Sequence, residues 1–399
     1  VLLLARWTGL CLAGEGAGEW LAIAPLFETR DDLRDAGDTM SKLFANSVYR
    51  QHLDRLGRPQ IIMIGYSDSN KDAGFITATW KLHQAQQRLA DSCRKEGIDW
   101  TLFHGRGGTI ARGGGPANQA IMAQPADALN GHLRITEQGE VIEERYGHPF
   151  IAKRHIEQLL HAVLVSSGQV GDDTGHEIEP AWEQAMEELS SAGHGAYRSL
   201  VYDDPGLQTY WLEATPINEI SELHLGSRPS RRSPSLELSS VRAIPWVFSW
   251  LQSRHDVPGY YGLGTALETF SASPERLALL RTMWKEWPFF RILLDNAQLS
   301  VARADMTVAR LHADLVTDAD VRERVYSTVS QEHARTQRLL LEVTGQTSLL
   351  SDQPVLKSTI ARRNLLLGPL HRLQVALRRR LRSESLTVAE REELRQGIY

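Results

Sequence analysis

Short apolar runs alternate with longer amphipathic stretches over the first 150 residues of the chain. This alternation is typical of βα units, in which buried parallel strands are joined by helices. Four of the apolar runs are predicted to be strands: Trp20 to Phe27, Gln60 to Ile64, Trp100 to Phe103 and Leu133 to Thr136. The sequence therefore predicts a parallel sheet in this part of the chain.

Between the second and third predicted strands, the segment from Phe75 to Glu96 has the periodicity of a helix. Its apolar residues recur every three or four positions, at Ala78, Leu82, Ala85, Leu89 and Cys93, and Gly97 follows as a C-cap. Cys93 lies on this stripe and is predicted to be a core residue. The lone His83 on the same segment is interpreted as a helix-surface residue.

A polar or charged residue follows each predicted strand. Glu28, Asp68, His104 (with Arg106) and Glu137 lie 40, 36 and 33 residues apart along the chain. A (β/α)₈ barrel of about 250 residues averages roughly 31 residues per unit and carries its functional groups at the carboxyl ends of its strands. The spacing predicts consecutive barrel units. Because four strands cannot close a barrel, we expect the other strands upstream of Val1 and interpret the chain as a fragment.

From about residue 155 the pattern becomes helical. Two polar loops interrupt it, Gly168 to Pro180 and the basic, Ser/Pro-rich Gly226 to Ser240, and amphipathic helices are predicted at Pro274 to Lys285 and Leu299 to Leu315. We predict three regions: 1–150 as the barrel part with the active-site motifs, 151–264 as helical segments with the basic loop 226–242, and 265–399 as a helical C-terminal region.

Composition limits the class of protein. The 399 residues include 44 Lys and Arg against 49 Asp and Glu, a net charge of −5, which argues against bulk electrostatic capture of nucleic acid. No apolar run approaches the roughly 20 residues of a membrane span. With only Cys11 and Cys93, a thiolate metal site or disulfide scaffold is excluded. We expect a cytoplasmic protein without nucleic-acid or membrane partners.

The segment GYSDSNKDAG, from Gly65 to Gly74, places carboxylates, a lysine and two glycines in a turn before a helix. Such a turn can present a carboxylate to a cation and a lysine to an anion. Glu28 and Asp68 together are candidate ligands for Mg²⁺, which favours one or two carboxylates completed by other oxygens. The alternative is a polar turn that only caps the next helix.

The segment FHGRGGTIARGGGPANQA, from Phe103 to Ala120, contains six glycines with Arg106 and Arg112 between them. Glycines let a backbone approach a ligand closely or move, and guanidinium groups bind phosphate or carboxylate through paired donors. We interpret the segment as a mobile cationic clamp for an anion. An RGG-type nucleic-acid segment and an ordinary surface loop are the alternatives.

Further arginines follow in LGSRPSRRSP and VRAIPWVFSW. Arg228 lies in the basic loop, which is alternatively a solvated face. Arg242 adjoins a Trp-rich apolar run, where an unpaired charge is costly to bury and a bound anion would compensate it. The run Arg378 to Arg382 is interpreted as one face of a terminal amphipathic helix. Because no P-loop, nucleophile-elbow or kinase signature occurs, these groups suggest a small substrate bearing phosphate and carboxylate.

Several long motifs together resemble the C-terminal portion of the phosphoenolpyruvate carboxylase family: FETRDDL, MIGYSDSNKDAG, FHGRGGTIARGGGP, TEQGEVI, LGSRPSRR and VRAIPWVFSWLQSR. The resemblance covers nearly the whole chain. It implies a TIM-type α/β barrel, partial in this fragment, embedded in a mainly α-helical protein that is a homotetramer at full length. It also implies conversion of phosphoenolpyruvate and bicarbonate to oxaloacetate and phosphate with Mg²⁺ or Mn²⁺.

The resemblance also implies roles for particular residues. Glu28 and Asp68 resemble the metal ligands. The candidate catalytic residues are Lys71, His104, Arg106 and Arg112, and Arg228 and Arg242 resemble the arginines that bind phosphate.

Two family features are missing from the sequence. A TAHPTE-like motif does not occur, so we expect the 399-residue chain alone to be inactive. The usual RNTG terminus is also absent, and Arg303 stands where the family's inhibitor site has Lys, with Arg363 as the matching arginine. We therefore expect aspartate inhibition to be weak or lost. Another barrel enzyme acting on phosphoenolpyruvate or pyruvate, and a catalytically dead assembly subunit, are the alternatives.

Overall fold

The structure is a computed structural model that describes residues 1–8, 21–57, 59–105, 117–137, 139–168, 178–222, 237–382 and 386–398. Within these ranges the chain is mainly helical, with one small parallel sheet. Arg106, Arg112, Arg228 and most of the predicted basic loop lie outside the described residues.

The sheet has four described strands, β1 (Leu26–Phe27), β2 (Gln60–Gly65), β3 (Trp100–Gly105) and β4 (Arg134–Ile135). They lie in the order β1-β2-β3-β4, and all neighbours are parallel. The two central strands confirm the prediction and run one or two residues further, whereas β1 and β4 are shorter than predicted. The small parallel sheet is consistent with barrel units, but closure of a barrel stays a prediction.

Nineteen α-helices are found in the described ranges. The first eight are α1 (Leu2–Trp7), α2 (Arg30–Ala45), α3 (Ser47–Leu56), α4 (Ser67–Ala73), α5 (Phe75–Lys95), α6 (Ala117–Met122), α7 (Gly139–Tyr146) and α8 (Pro149–Gly168). The next five are α9 (Pro180–Val201), α10 (Leu207–Ala214), α11 (Ile217–Glu222), α12 (Ala243–Gln252) and α13 (Leu263–Phe270). The last six are α14 (Pro274–Glu286), α15 (Pro288–Arg303), α16 (Met306–Ala313), α17 (Ala319–Thr344), α18 (Pro354–Leu381) and α19 (Val388–Ile398). Among them, none combines the length and apolar character of a membrane-crossing helix.

Two helix predictions have different outcomes. The helix predicted from Phe75 is confirmed, because α5 spans Phe75–Lys95. The single helix predicted from Leu299 to Leu315 is wrong, because α15 ends at Arg303 and α16 begins at Met306. Asp305 is the reason: its side chain accepts the Val308 N–H at 3.1 Å and so caps a new helix.

Burial of α5 confirms one prediction and contradicts another. Cys93 is fully buried in the core beneath the sheet, as predicted. His83 is not a surface residue, since it is only 5% exposed and its ring centroid lies 4.1 Å from that of Phe289. The aromatic residues immediately before and at the start of α15 cover the face of α5 that carries His83. The His83 ring is therefore shielded from solvent.

The run Arg378 to Arg382, interpreted as one face of a terminal amphipathic helix, begins on α18, where the Arg378 side chain is buried. Its guanidinium donates to the carbonyl oxygens of Glu213, Ala214 and Thr215 at the end of α10, and it pairs with Glu219 at 3.2 Å. The end of a helix leaves carbonyl groups without intrahelical partners and carries partial negative charge. The buried Arg378 guanidinium donates to these carbonyl groups, and its positive charge compensates the partial negative charge.

Candidate active site at the carboxyl edge of the sheet

Glu28 follows β1 directly, and its loop is fixed by the capping of α2. Thr29 is the N-cap residue: its hydroxyl accepts the Asp32 N–H at 3.1 Å, and the Asp32 carboxylate accepts the Thr29 N–H at 3.0 Å. The Glu28 N–H also points to the Asp32 carboxylate, at 3.4 Å. Such a capping box leaves little freedom where the chain enters a helix. Glu28 is therefore held, half-buried, at the sheet edge.

Asp68 and Lys71 lie on α4, the short helix that follows β2. Both side chains are half-buried. The start of α4 is tied to the strand because the Ser69 hydroxyl donates to the Gly65 carbonyl at 2.8 Å. A Cβ on Gly65 would lie 2.7 Å from the Cβ of Glu28, so the ends of β1 and β2 approach closely. The structure thus places Glu28 and Asp68 at the ends of adjacent strands.

Helix α9 supports the other end of α4. The hydroxyls of Tyr197 and Tyr202 both donate to the Lys71 carbonyl, at 2.7 and 3.0 Å, and His194 Nδ1 lies 3.1 Å from the Ala73 carbonyl. Gly74 ends α4 with φ of +84°, and a Cβ there would lie 2.7 Å from the Tyr197 ring. Only glycine suits that conformation and that contact. Side chains of α9 therefore satisfy the last carbonyls of α4.

The Lys71 ammonium group connects α4 to the segment that precedes α12. Lys71 Nζ donates to the Leu238 carbonyl at 2.7 Å and to the Val241 carbonyl. Arg242 comes next in the chain and is half-buried, and its buried Nε atom has no hydrogen-bond partner among the residues that the structure describes. A buried guanidinium N–H without an acceptor is costly, so this atom is suited to a ligand that supplies an oxygen. Lys71 and Arg242 thus belong to one neighbourhood.

His104 lies near the end of β3, where it pairs in register with Ile64 of β2 and Ile135 of β4. Its side chain is buried, and Nδ1 shares a hydrogen bond of 2.7 Å with the Tyr66 hydroxyl. Tyr66 stands between β2 and α4. The hydrogen bond therefore fixes the His104 ring against the start of α4, the helix that carries Asp68.

Glu137, which follows β4, has protein partners of its own. It forms an ion pair with Arg145, and His155 Nε2 lies 3.5 Å from one carboxylate oxygen. Burial alone would raise the pKa of Glu137, but hydrogen bonds from Tyr146 and Arg145 outweigh it and lower the pKa below its usual value. Burial together with the hydrogen bond to Glu137 raises the pKa of Tyr146 to about 12. Glu137 is thus an ion-pair partner that holds α7 and α8 at the sheet edge.

The chemistry of the donors fits a hard divalent cation. Glu28 and Asp68 offer carboxylate oxygens at adjacent strand ends, and Mg²⁺ is commonly bound by one or two carboxylates with water and substrate oxygens. Within the described ranges, no group of three or more His, Cys, Asp or Glu residues could hold a metal ion. Two carboxylates would leave such an ion several positions for non-protein ligands.

A second group of arginines lines a cavity of ≈ 300 Å³, which lies between the end of α12, α15 and α18. The structure brings Arg303 and Arg363 together at this cavity, as the proposed effector role requires, and adds Arg254. Arg303 pairs with the buried Asp256 at 3.1 Å. Arg254 donates to the Asn364 side-chain oxygen at 2.7 Å, and burial lowers its pKa. Sequence reasoning missed Arg254 because it is separated from Asn364 by 110 positions.

The described part of the chain is thus a mainly helical protein with a small parallel sheet, and charged and polar groups stand at the carboxyl ends of its strands, where α/β proteins commonly bind ligands. A family model described as "Phosphoenolpyruvate carboxylase" matches residues 1–399. The chain belongs to the phosphoenolpyruvate carboxylase family, which confirms the resemblance drawn from its motifs.

Similar curated proteins carry the same name. "Phosphoenolpyruvate carboxylase" from Roseiflexus castenholzii is 45% identical over 392 residues, which cover 96% of this chain and 41% of that protein. The protein of that name from Nitrosomonas eutropha is 43% identical over 385 residues, with 96% and 41% covered. That from Corynebacterium glutamicum is 42% identical over 387 residues, with 96% and 42% covered. The chain spans about two fifths of the length of these relatives.

Proposed function

We propose that this chain supplies the metal-binding and phosphate-binding part of a phosphoenolpyruvate carboxylase. The activity would convert phosphoenolpyruvate and bicarbonate to oxaloacetate and phosphate. One observation carries the proposal: in a chain of this family, Glu28, Asp68 and His104 stand at the carboxyl ends of three adjacent parallel strands.

The α/β barrel remains part of this proposal. Four strands that follow one another in the sequence are also neighbours in the sheet, all parallel, which supports consecutive units of a TIM-type barrel. The division into regions 1–150, 151–264 and 265–399 likewise stays a prediction.

The arginines would bind the anionic substrate. Arg242, whose buried Nε has no partner within the described ranges, would donate to a phosphate oxygen, and we assign Arg106, Arg112 and Arg228 to the same task from the family resemblance. In this role Lys71 orients Arg242, because it holds the carbonyl of the preceding residue, Val241. His104, fixed by Tyr66, would face the substrate from β3.

A bicarbonate oxygen attacks the phosphorus of phosphoenolpyruvate, and the bond from phosphorus to the enol oxygen breaks, with its electron pair remaining on that oxygen. Carboxyphosphate and the enolate of pyruvate result. Carboxyphosphate yields carbon dioxide and phosphate, and the enolate carbon attacks carbon dioxide to give oxaloacetate. Glu28 and Asp68 would hold Mg²⁺ or Mn²⁺, which when bound supplies Lewis-acid stabilisation of charge on oxygen. The arginines offset the phosphate charge.

The test is oxaloacetate formation, coupled to NADH oxidation by malate dehydrogenase, by the complete polypeptide encoded by the reading frame. We expect activity that requires phosphoenolpyruvate, bicarbonate and a divalent cation, and none from the 399-residue chain alone. Arg242→Lys should raise KM for phosphoenolpyruvate about 10- to 100-fold, the equivalent of one charge-assisted hydrogen bond. The surface variant Arg276→Lys is the control. A folded complete polypeptide without activity would favour the dead assembly subunit.

Assembly and regulation are further parts of the proposal. We assign the full-length protein as a cytoplasmic homotetramer on the family resemblance. The cavity with Arg303 and Arg363 would take a small dicarboxylate such as aspartate, but weakly. The pairing of Arg303 with Asp256 supports weak binding, because part of its charge is already compensated. Calorimetric titration with aspartate should give a Kd above about 1 mM, and micromolar binding would contradict this assignment.

A further inference from the structure

Asp72 links helix α4, which carries Asp68, to the start of α2, which follows Glu28. Its carboxylate Oδ2 accepts a hydrogen bond of 2.8 Å from the Arg30 backbone N–H, 42 positions away in the sequence. Asp72 lies on α4, and Arg30 is the first residue of α2. The contact is thus a bond between the helix after β2 and the helix after β1.

The position of this bond relates it to both candidate ligands. Asp72 lies four residues after Asp68, so the two side chains project from the same face of α4, one turn apart. Arg30 lies two residues after Glu28. The face of α4 that carries Asp68 is therefore held against the loop that carries Glu28.

The bond is also chemically specific. The N–H groups of the first helical turn have no intrahelical acceptors, and a carboxylate near a helix N-terminus is favoured by the helix dipole. The Asp32 carboxylate accepts the N–H groups of Glu28 and Thr29, and the Asp72 carboxylate accepts the N–H of the next residue, Arg30. Both acceptors are needed to fix three consecutive N–H groups beside Glu28.

We propose that Asp72 is a positioning residue that sets the placement of Glu28 relative to Asp68 and thereby the affinity for a divalent cation. This inference rests on the proposed function, because it presupposes that the two carboxylates bind metal. Groups that orient metal ligands commonly contribute 10- to 100-fold to affinity.

The experiment is a titration of the complete polypeptide encoded by the reading frame with Mn²⁺, followed by the loss of the free-ion signal in electron paramagnetic resonance. Asp72→Ala removes the acceptor and should weaken Mn²⁺ binding about 10- to 100-fold. Asp72→Asn keeps an oxygen that accepts the Arg30 N–H and should stay within about threefold of the parent. Asp68→Asn, which alters a proposed ligand, should abolish binding.

A matched control separates positioning from a loss of stability. Asp318 caps α17, a helix that carries neither candidate metal ligand, by accepting the N–H groups of Asp320 and Val321, both at 3.0 Å. Asp318→Ala should lower the thermal midpoint to a similar extent as Asp72→Ala but leave Mn²⁺ affinity unchanged.

The titrations distinguish a failure of the positioning role of Asp72 from a failure of the proposed metal site. If Asp72→Ala binds Mn²⁺ like the parent while Asp68→Asn does not, the metal site stands and the positioning role is wrong. If Asp72→Asn is as weak as Asp72→Ala, the Arg30 hydrogen bond is not the cause and the inference is overturned. A parent chain that binds no Mn²⁺ would overturn the metal site and the inference together.

Discussion

Two glycines on α9 provide a sharp test of the packing that supports the site. Gly193 is buried where α9 contacts α5 and α13, and a Cβ there would lie 2.3 Å from Ile76 Cγ2 and 3.2 Å from the Gly262 carbonyl oxygen. Gly195, two residues further on, is exposed, and a Cβ there would contact nothing within 4 Å. Gly193→Ala and Gly195→Ala thus make the same chemical change in one helix, with and without a steric conflict.

The structure gives the sign and approximate size of both effects. Each alanine gains about 1 kcal/mol of helix propensity over glycine. At Gly193 the added methyl group must displace Ile76, a stiff β-branched residue that is 1% exposed, and overpacking of this kind costs about 1–3 kcal/mol. We therefore expect Gly195→Ala to be more stable than the parent by up to about 1 kcal/mol. Gly193→Ala should be less stable than Gly195→Ala by about 1–3 kcal/mol.

Urea unfolding followed by circular dichroism measures the difference, provided that the slope of the transition is the same for both variants. Because α9 also carries the tyrosine that bonds the Lys71 carbonyl, Gly193→Ala should in addition accelerate amide exchange in α4. If the two variants have equal midpoints, the close contact among α5, α9 and α13 is not as described and the reasoning fails.

Three further predictions concern buried groups. Burial lowers the pKa of His83 to about 3, so the unfolded chain binds its proton first and stability is lost as pH falls below about 6.5, by about 1.4 kcal/mol per pH unit. His83→Phe should therefore flatten the pH dependence of the urea midpoint between pH 6.5 and 4.5, and a slope equal to that of the parent would contradict the burial. Tyr197→Phe removes one of two donors to the Lys71 carbonyl and should cost about 1 kcal/mol in urea unfolding, and an unchanged midpoint would show that the bond contributes nothing. Burial raises the pKa of the Cys93 thiol to about 12, so peptide mass spectrometry should detect iodoacetamide labelling at pH 8 only after unfolding, and rapid labelling of the native chain would refute this.

The sequence by itself determined the elements whose signals are local. The apolar run Gln60 to Ile64 and the stripe that ends at Cys93 depend on neighbouring residues, and both predictions are confirmed. The motifs also identified the family, and the spacing of Glu28, Asp68 and His104 correctly placed them at successive strand ends. Parallel βα units make such spacing informative, because each unit returns the chain to the same edge of the sheet.

Only the tertiary structure decided which groups meet across long sequence separations. His83 is buried because residues near the start of α15 cover α5, and Arg378 is buried because it satisfies carbonyls at the end of α10. Lys71 contacts carbonyls 167 and 170 positions away, and Asp72 reaches back 42 positions to Arg30. Local periodicity carries no information about such partners, since they are selected by packing and by the need to pair every buried polar group.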